Sequence, residues 1–131
     1  MKAKEFWNQQ NVGEKPITEV THDVSEQTIF IKSGSDFHQV SIQDIKYIES
    51  DGNYVTFHTT KRTILARYKI SEVLELLPKQ FFVRIHRSFI VAIKHIETVK
   101  KHCVVINQKE IPISSNYREP FFKIIENVRN N

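Results

Sequence analysis

Between Thr28 and Ile113 the apolar residues come in short runs of four to seven, rich in Ile, Val, Phe, Tyr and Thr, with polar or turn residues between them. That is strand spacing. The runs predict ten strands, at 28–32, 37–42, 45–50, 54–59, 63–68, 82–86, 89–93, 96–100, 103–107 and 110–113. Turn chemistry falls where it is needed: Gly34 between Ser33 and Ser35, Asp51 with Gly52, and Asn107 with Gln108. Gly and Asn accept positive φ at little cost.

Two segments switch to a helical period. Ile70, Val73, Leu74 and Leu77 share one face, Ser71 is placed to cap the first turn, and Pro78 ends it. Phe121, Ile124, Ile125 and Val128 recur at i, i+3, i+4 and i+7, which predicts an amphipathic helix after Pro120. Its apolar face must pack on the domain itself or on a second subunit. The N-terminal KAKEFWNQQN reads as a short helix, and the following stretch with Gly13 and Pro16 reads as a linker. The expected organisation is a tail and linker over residues 1–22, then one domain over residues 23–131.

Composition narrows the class. A chain of 131 residues, 40% hydrophobic and 26% charged, fits one ordinary globular domain. The lone Cys103 lies in the apolar run Cys103–Ile106 and reads as a small buried hydrophobe. No apolar run reaches the ~20 residues that span a bilayer, and the N-terminus has no signal-peptide core. The expected location is the cytoplasm. Charge is uneven along the chain: residues 23–60 hold two basic and six acidic groups, whereas residues 61–131 hold fourteen basic and six acidic. Such asymmetry points to a polyanionic partner for the C-terminal part.

Reactive constellations are missing. The six histidines show no metal-ligand spacing with the cysteine or with paired carboxylates, the three glycines build no phosphate loop, and there is no G-x-S-x-G elbow. Neither catalysis, a metal nor a cofactor is expected. Glu49 with Asp51 reads as a solvated strand end.

The run FFVRIHRSFIVAIKHI, residues 81–96, interrupts apolar residues with Arg84, His86 and Arg87. By alternation, Val83 and Ile85 face the core, while Phe82, Arg84 and His86 face away; Val91 and Ile93 then point inward. Arg87 and Ser88 fall at the junction between strands. Arg84 and His86 either bond internally, to carboxylates such as Glu49, or face a ligand. Arg87, on a loop held by a rigid sheet, can reach phosphate or a guanine edge.

The strings IQDIKYIESDGNYVTFHT, FFVRIHRSFIVAIKHIETV and IPISSNYREPF, in this order and spacing, resemble the LytTR family of DNA-binding domains over roughly residues 23–125. The resemblance implies a mainly β, elongated fold of about ten strands in small antiparallel sheets, with a short central helix and a C-terminal helix. It implies an output domain of a two-component response regulator, with a receiver domain ahead of residues 1–22, and duplex DNA as partner, bound by two copies on a direct repeat. Base-approaching positions fall at Asn53, Arg87 and Asn116. Asp51 beside Asn53, and Ser114 and Ser115 ahead of Asn116, depart from the basic residues of many members, and Arg118 supplies charge there. Arg84, His86 and Ser88 complete the junction, and Lys100 and Lys101 add diffuse phosphate attraction from a flexible turn. The rival from another class is a protein-interaction module using open sheet edges and the C-terminal helix. A single-strand binder stacking bases on Tyr47, Tyr54, Phe57 and Phe89 fits less well, because most of these alternate as core residues do.

Overall fold

The computed structural model describes residues 27–129. The expected tail and linker over residues 1–22 lie outside the described residues. Ten strands and two α-helices follow in the order β1 (Thr28–Ser33), β2 (Asp36–Ser41), β3 (Ile45–Asp51), β4 (Tyr54–Thr59), β5 (Thr63–Ala66), α1 (Ile70–Leu76), β6 (Phe82–His86), β7 (Phe89–Ala92), β8 (Thr98–Val99), β9 (Cys103–Ile106), β10 (Lys109–Pro112) and α2 (Ser115–Arg129). They form a β1–β2 hairpin, a central five-stranded sheet in the order β5-β4-β3-β7-β6 and a small sheet in the order β10-β9-β8. Every pairing is antiparallel. The mainly β expectation holds.

Both faces of the central sheet carry a core, the second only over β3, β7 and β6, since Tyr54, Thr63 and Leu65 of β4 and β5 stay exposed. On one face Ile48, Val55, Phe57, Ile64, Phe82 and Ile90 meet Ile31 and Val40 of the hairpin and Ile70, Val73 and Leu77 around α1. On the other, Tyr47, Ile85 and Val91 meet Val104, Ile106 and Ile111 of the small sheet and Phe121 of α2. This corrects the one-sided expectation: Phe82, 3% exposed, belongs to the first core rather than to an outer face. Ile93 does not continue β7; Ile93–His95 is a short 3-10 turn, and β8 shrinks to two residues.

The helices begin differently from expectation. Lys69, not Ser71, stands at the N-cap of α1, and its N–H donates to the Glu72 carboxylate at 2.8 Å. A capping carboxylate at the third position satisfies a donor that the helix cannot. The second helix starts at Ser115, ahead of Pro120, with the Tyr117 N–H on the Ser114 carbonyl at 3.0 Å. Proline there removes the bond to the Asn116 carbonyl, at a position exposed to solvent. The apolar face of α2 packs on the domain itself through Phe121 and Ile125. Cys103 is half-buried rather than fully in the core.

Candidate nucleic-acid interface

The β3–β4 turn and the β6–β7 junction lie side by side at one end of the central sheet, because β3 and β7 are ladder neighbours. The Ser50 N–H donates to the Ser88 carbonyl at 2.8 Å and joins the two. At the first tip, Asp51 pairs with Tyr54 across Gly52 and Asn53. Gly52 carries the positive φ, +65°, and Asn53 is not among the residues in that region. The turn therefore makes no use of asparagine's tolerance for left-handed backbone, and the Asn53 side chain stands exposed.

The junction holds Arg87 at its tip. Pairing shifts from Arg84 opposite Ile90 to His86 opposite Phe89, so Ile85 is an extra residue in β6. Such a bulge bends a strand and re-aims its neighbours. The Ile85 side chain is fully buried, and its carbonyl accepts the Ser114 N–H at 2.9 Å. Around the tip, Arg84 donates from Nε to the His86 carbonyl at 3.3 Å and from Nη2 to the Arg87 carbonyl at 2.7 Å. His86 Nδ1 accepts the Ser88 N–H at 3.0 Å, and its ring meets Phe89 edge-on at 5.5 Å. Arg84, His86 and Ser88 are half-buried, whereas Arg87 is exposed.

The start of α2 closes the third side. The Arg84 guanidinium lies 5.7 Å from the Tyr117 ring centre, a cation–π contact that ties the junction to the helix, and Asn116 beside it is exposed. Arg118 Nη2 meets His102 Nδ1 at 2.8 Å, and the Ile113 N–H donates to the His102 carbonyl at 2.8 Å. The β8–β9 turn expected to be flexible is thus tied to α2. Lys101 is exposed on it. Lys100 donates to Glu110 at 3.0 Å, and that bond raises its pKa above the usual lysine value. Its charge is balanced locally rather than offered diffusely.

Glu49 finds neither Arg84 nor His86. Its partner is His58, with Nε2 at 3.4 Å from Oε1, a contact too poorly aimed to be a hydrogen bond. The His58 ring stacks on Tyr47 at 4.2 Å and 16°. Burial pushes the imidazole below its ordinary 6.5, against the opposite pull of Glu49. Sequence reading missed Tyr117 and His102 as supports; their partners Arg84 and Arg118 are 33 and 16 residues away along the chain. Among the described residues no three His, Cys, Asp or Glu side chains converge on a metal position, and no helix is long and apolar enough to cross a membrane.

Comparison with known proteins agrees with this architecture. The family described as the LytTr DNA-binding domain matches residues 35–126. Similar curated proteins include the transcriptional regulatory protein NatR of Bacillus subtilis, 32% identical over 82 residues, with 60% of this chain and 35% of that one covered. The sensory transduction protein LytT of Bacillus anthracis is 27% identical over 92 residues, covering 66% and 37%. The transcriptional regulatory protein YpdB of Escherichia coli is 26% identical over 131 residues, covering 95% and 53%. The chain thus spans between a third and about half of the length of these relatives. A solved LytTr DNA-binding domain, from a Bacillus cereus protein described as a methyl-accepting/DNA response regulator, superposes with a TM-score of 0.67 at 25% identity, covering 75% of this chain and 95% of that one. A match across most of the chain, with the same fold as that solved domain, makes this protein a member of the LytTr DNA-binding domain family.

Proposed function

We propose that the chain binds duplex DNA sequence-specifically through the sheet end that carries Asn53, Arg87 and Asn116, as the output domain of a two-component transcriptional regulator. One observation carries the reading: three exposed polar tips converge on one rigid edge, joined by the Ser50–Ser88 bond at 2.8 Å and the Ser114–Ile85 bond at 2.9 Å. Asparagine pairs bidentately with adenine and arginine with guanine, so these tips suit base edges in a groove. Bonds already made in the free protein lower the ordering cost of binding. Arg84, His86 and Ser88 act by holding Arg87 in place. Arg118 and Lys101 meet phosphates, while Lys100 contributes least because Glu110 balances it.

In this reading a receiver domain precedes residues 1–22, and two copies bind a direct repeat in the cytoplasm. Relatives named as transcriptional regulatory and sensory transduction proteins support the regulatory setting. The test is selection of bound sequences from a random duplex library, followed by titration at rising salt. A shared sequence should emerge, with affinity falling steeply as salt rises because bound phosphates release counterions. Absence of binding to every selected duplex, or affinity flat with salt, overturns the proposal.

A further inference from the structure

We propose that the groove between the β1–β2 hairpin and the β5 edge of the central sheet is a second DNA-backbone site, which takes phosphates flanking the stretch contacted by the three tips. The proposal rests on the DNA-binding reading above. The groove has a volume of about 570 Å³, and its lining includes Lys32, Ser33, Tyr54, Leu65, Arg67 and Tyr68, with no carboxylate. Its walls are held rather than loose. Strands β1 and β5 belong to different sheets, yet Ser33 Oγ donates to the Leu65 carbonyl at 2.6 Å and the Lys32 N–H to the Tyr68 hydroxyl at 3.2 Å. Two backbones that run together without a ladder leave a cleft between them.

The lining is complementary to a polyanion. Lys32 and Arg67 are exposed, and among the described residues neither has a carboxylate within salt-bridge distance. Lys32 Nζ lies 5.9 Å from the Phe37 ring centre, a contact that limits where the ammonium can wander. Tyr54, 46% exposed, adds a hydroxyl donor. Two cations and a phenol suit phosphate oxygens, contacts that fix position without carrying sequence information.

Location selects the occupant. Tyr54 directly follows Asn53, and the pairing of Val55 with Ala66 sets Arg67 at the same end of the sheet as the tips. Four strand spacings of about 4.8 Å separate β6 from β5, roughly 19 Å. At about 3.4 Å per base pair that is between five and six base pairs. A duplex laid across the sheet end therefore meets Arg87 and the groove within one footprint.

The experiment replaces both cations, K32Q with R67Q, in the full chain and compares salt titrations on the selected duplex. Each lost phosphate contact flattens the slope of log affinity against log salt by about 0.9, so two contacts reduce the parent's advantage about 12-fold between about 50 and 200 mM salt. Preference among single-base variants should stay as in the parent, and melting temperature should hold. Trimming about six base pairs from one flank should abolish the difference between parent and variant. Lys32→Arg with Arg67→Lys keeps both charges and should keep the parental slope. A parental slope in K32Q/R67Q, while the parent itself binds DNA, overturns the groove assignment and leaves the three-tip reading standing. A parent that binds no duplex overturns both.

Discussion

Replacing Arg84 with Ala tests whether the Arg87 tip is held by its neighbours or holds itself. The guanidinium makes one short bond, 2.7 Å to the Arg87 carbonyl, one long bond, 3.3 Å to the His86 carbonyl, and the contact at 5.7 Å with Tyr117. A charged hydrogen bond nets about 1.5 kcal/mol or somewhat more, and a poorly placed one much less. The cation–π contact at a half-exposed site adds about 0.5–1 kcal/mol. The released carbonyls lie where water can reach them, so no full desolvation cost follows. Arg84→Ala should therefore lose about 2 kcal/mol of stability, which lowers Tm by about 5–9 °C for a domain of this size. Duplex affinity should fall as well, because the tip must then be ordered on binding, while the salt slope stays near the parental one. Arg84→Lys should not rescue, since an ammonium on a flexible stem cannot span two carbonyls and lie flat on a ring. Thermal melts and a salt series on the selected duplex read both effects. If Arg84→Ala melts within 1 °C of the parent, the bracing is not energetic. If its main effect is a slope shallower by about one unit, Arg84 touches phosphate itself.

Arg87→Ala should do the converse: stability within about 0.5 kcal/mol of the parent, and a loss of about 1–3 kcal/mol of binding with relaxed preference at one position, or a slope shallower by about one if only phosphate is touched. Matched melts and titrations on single-base variants check it. Phe121, fully buried in the second core, should cost about 3–5 kcal/mol on replacement by Ala, read by urea unfolding. For His58, the folded protein binds the proton less readily than the ordinary imidazole of 6.5. The unfolded chain then holds more protons as pH falls below that value, so the stability contribution present above it is lost progressively on acidification. His58→Gln should flatten the pH dependence of urea unfolding below about 6.5 relative to the parent; identical profiles would refute the burial argument.

Strand positions were legible because β-branched and aromatic runs alternate with turn residues, and the junction and its neighbouring turns could be picked out from three strings alone. Which way side chains face was less legible. Phe82 and Val83 are both apolar and both packed, on opposite faces, because a sheet covered twice abolishes the polar alternation that marks an outer surface. Alternation also presumes an unbroken ladder, and the extra Ile85 ends that presumption beside the site. The start of α2 was invisible because residues 115–120 carry no apolar period. Supports such as Tyr117 on Arg84 and His102 on Arg118 depend on contacts between distant segments, which no local pattern encodes.

The division of the interior into two cores has a consequence for assembly during synthesis. Among the described residues the first core draws on the stretch from Ile29 to Ala92, whereas the second takes Tyr47, Val83, Ile85, Phe89 and Val91 and completes itself with residues from Ile96 to Ile125. A chain emerging from the ribosome can therefore close the hairpin, α1 and the central sheet before its last third appears, and later elements dock on a platform already built. The same nesting orders local opening in the finished protein: α2 and the small sheet can release together while the first core stays shut. Amide exchange should then be slowest in β3 and β4 and faster in β9 and β10, so the bond from Ser114 to Ile85 belongs to the unit that breathes first, and the sheet end that carries Arg87 loosens from its C-terminal side.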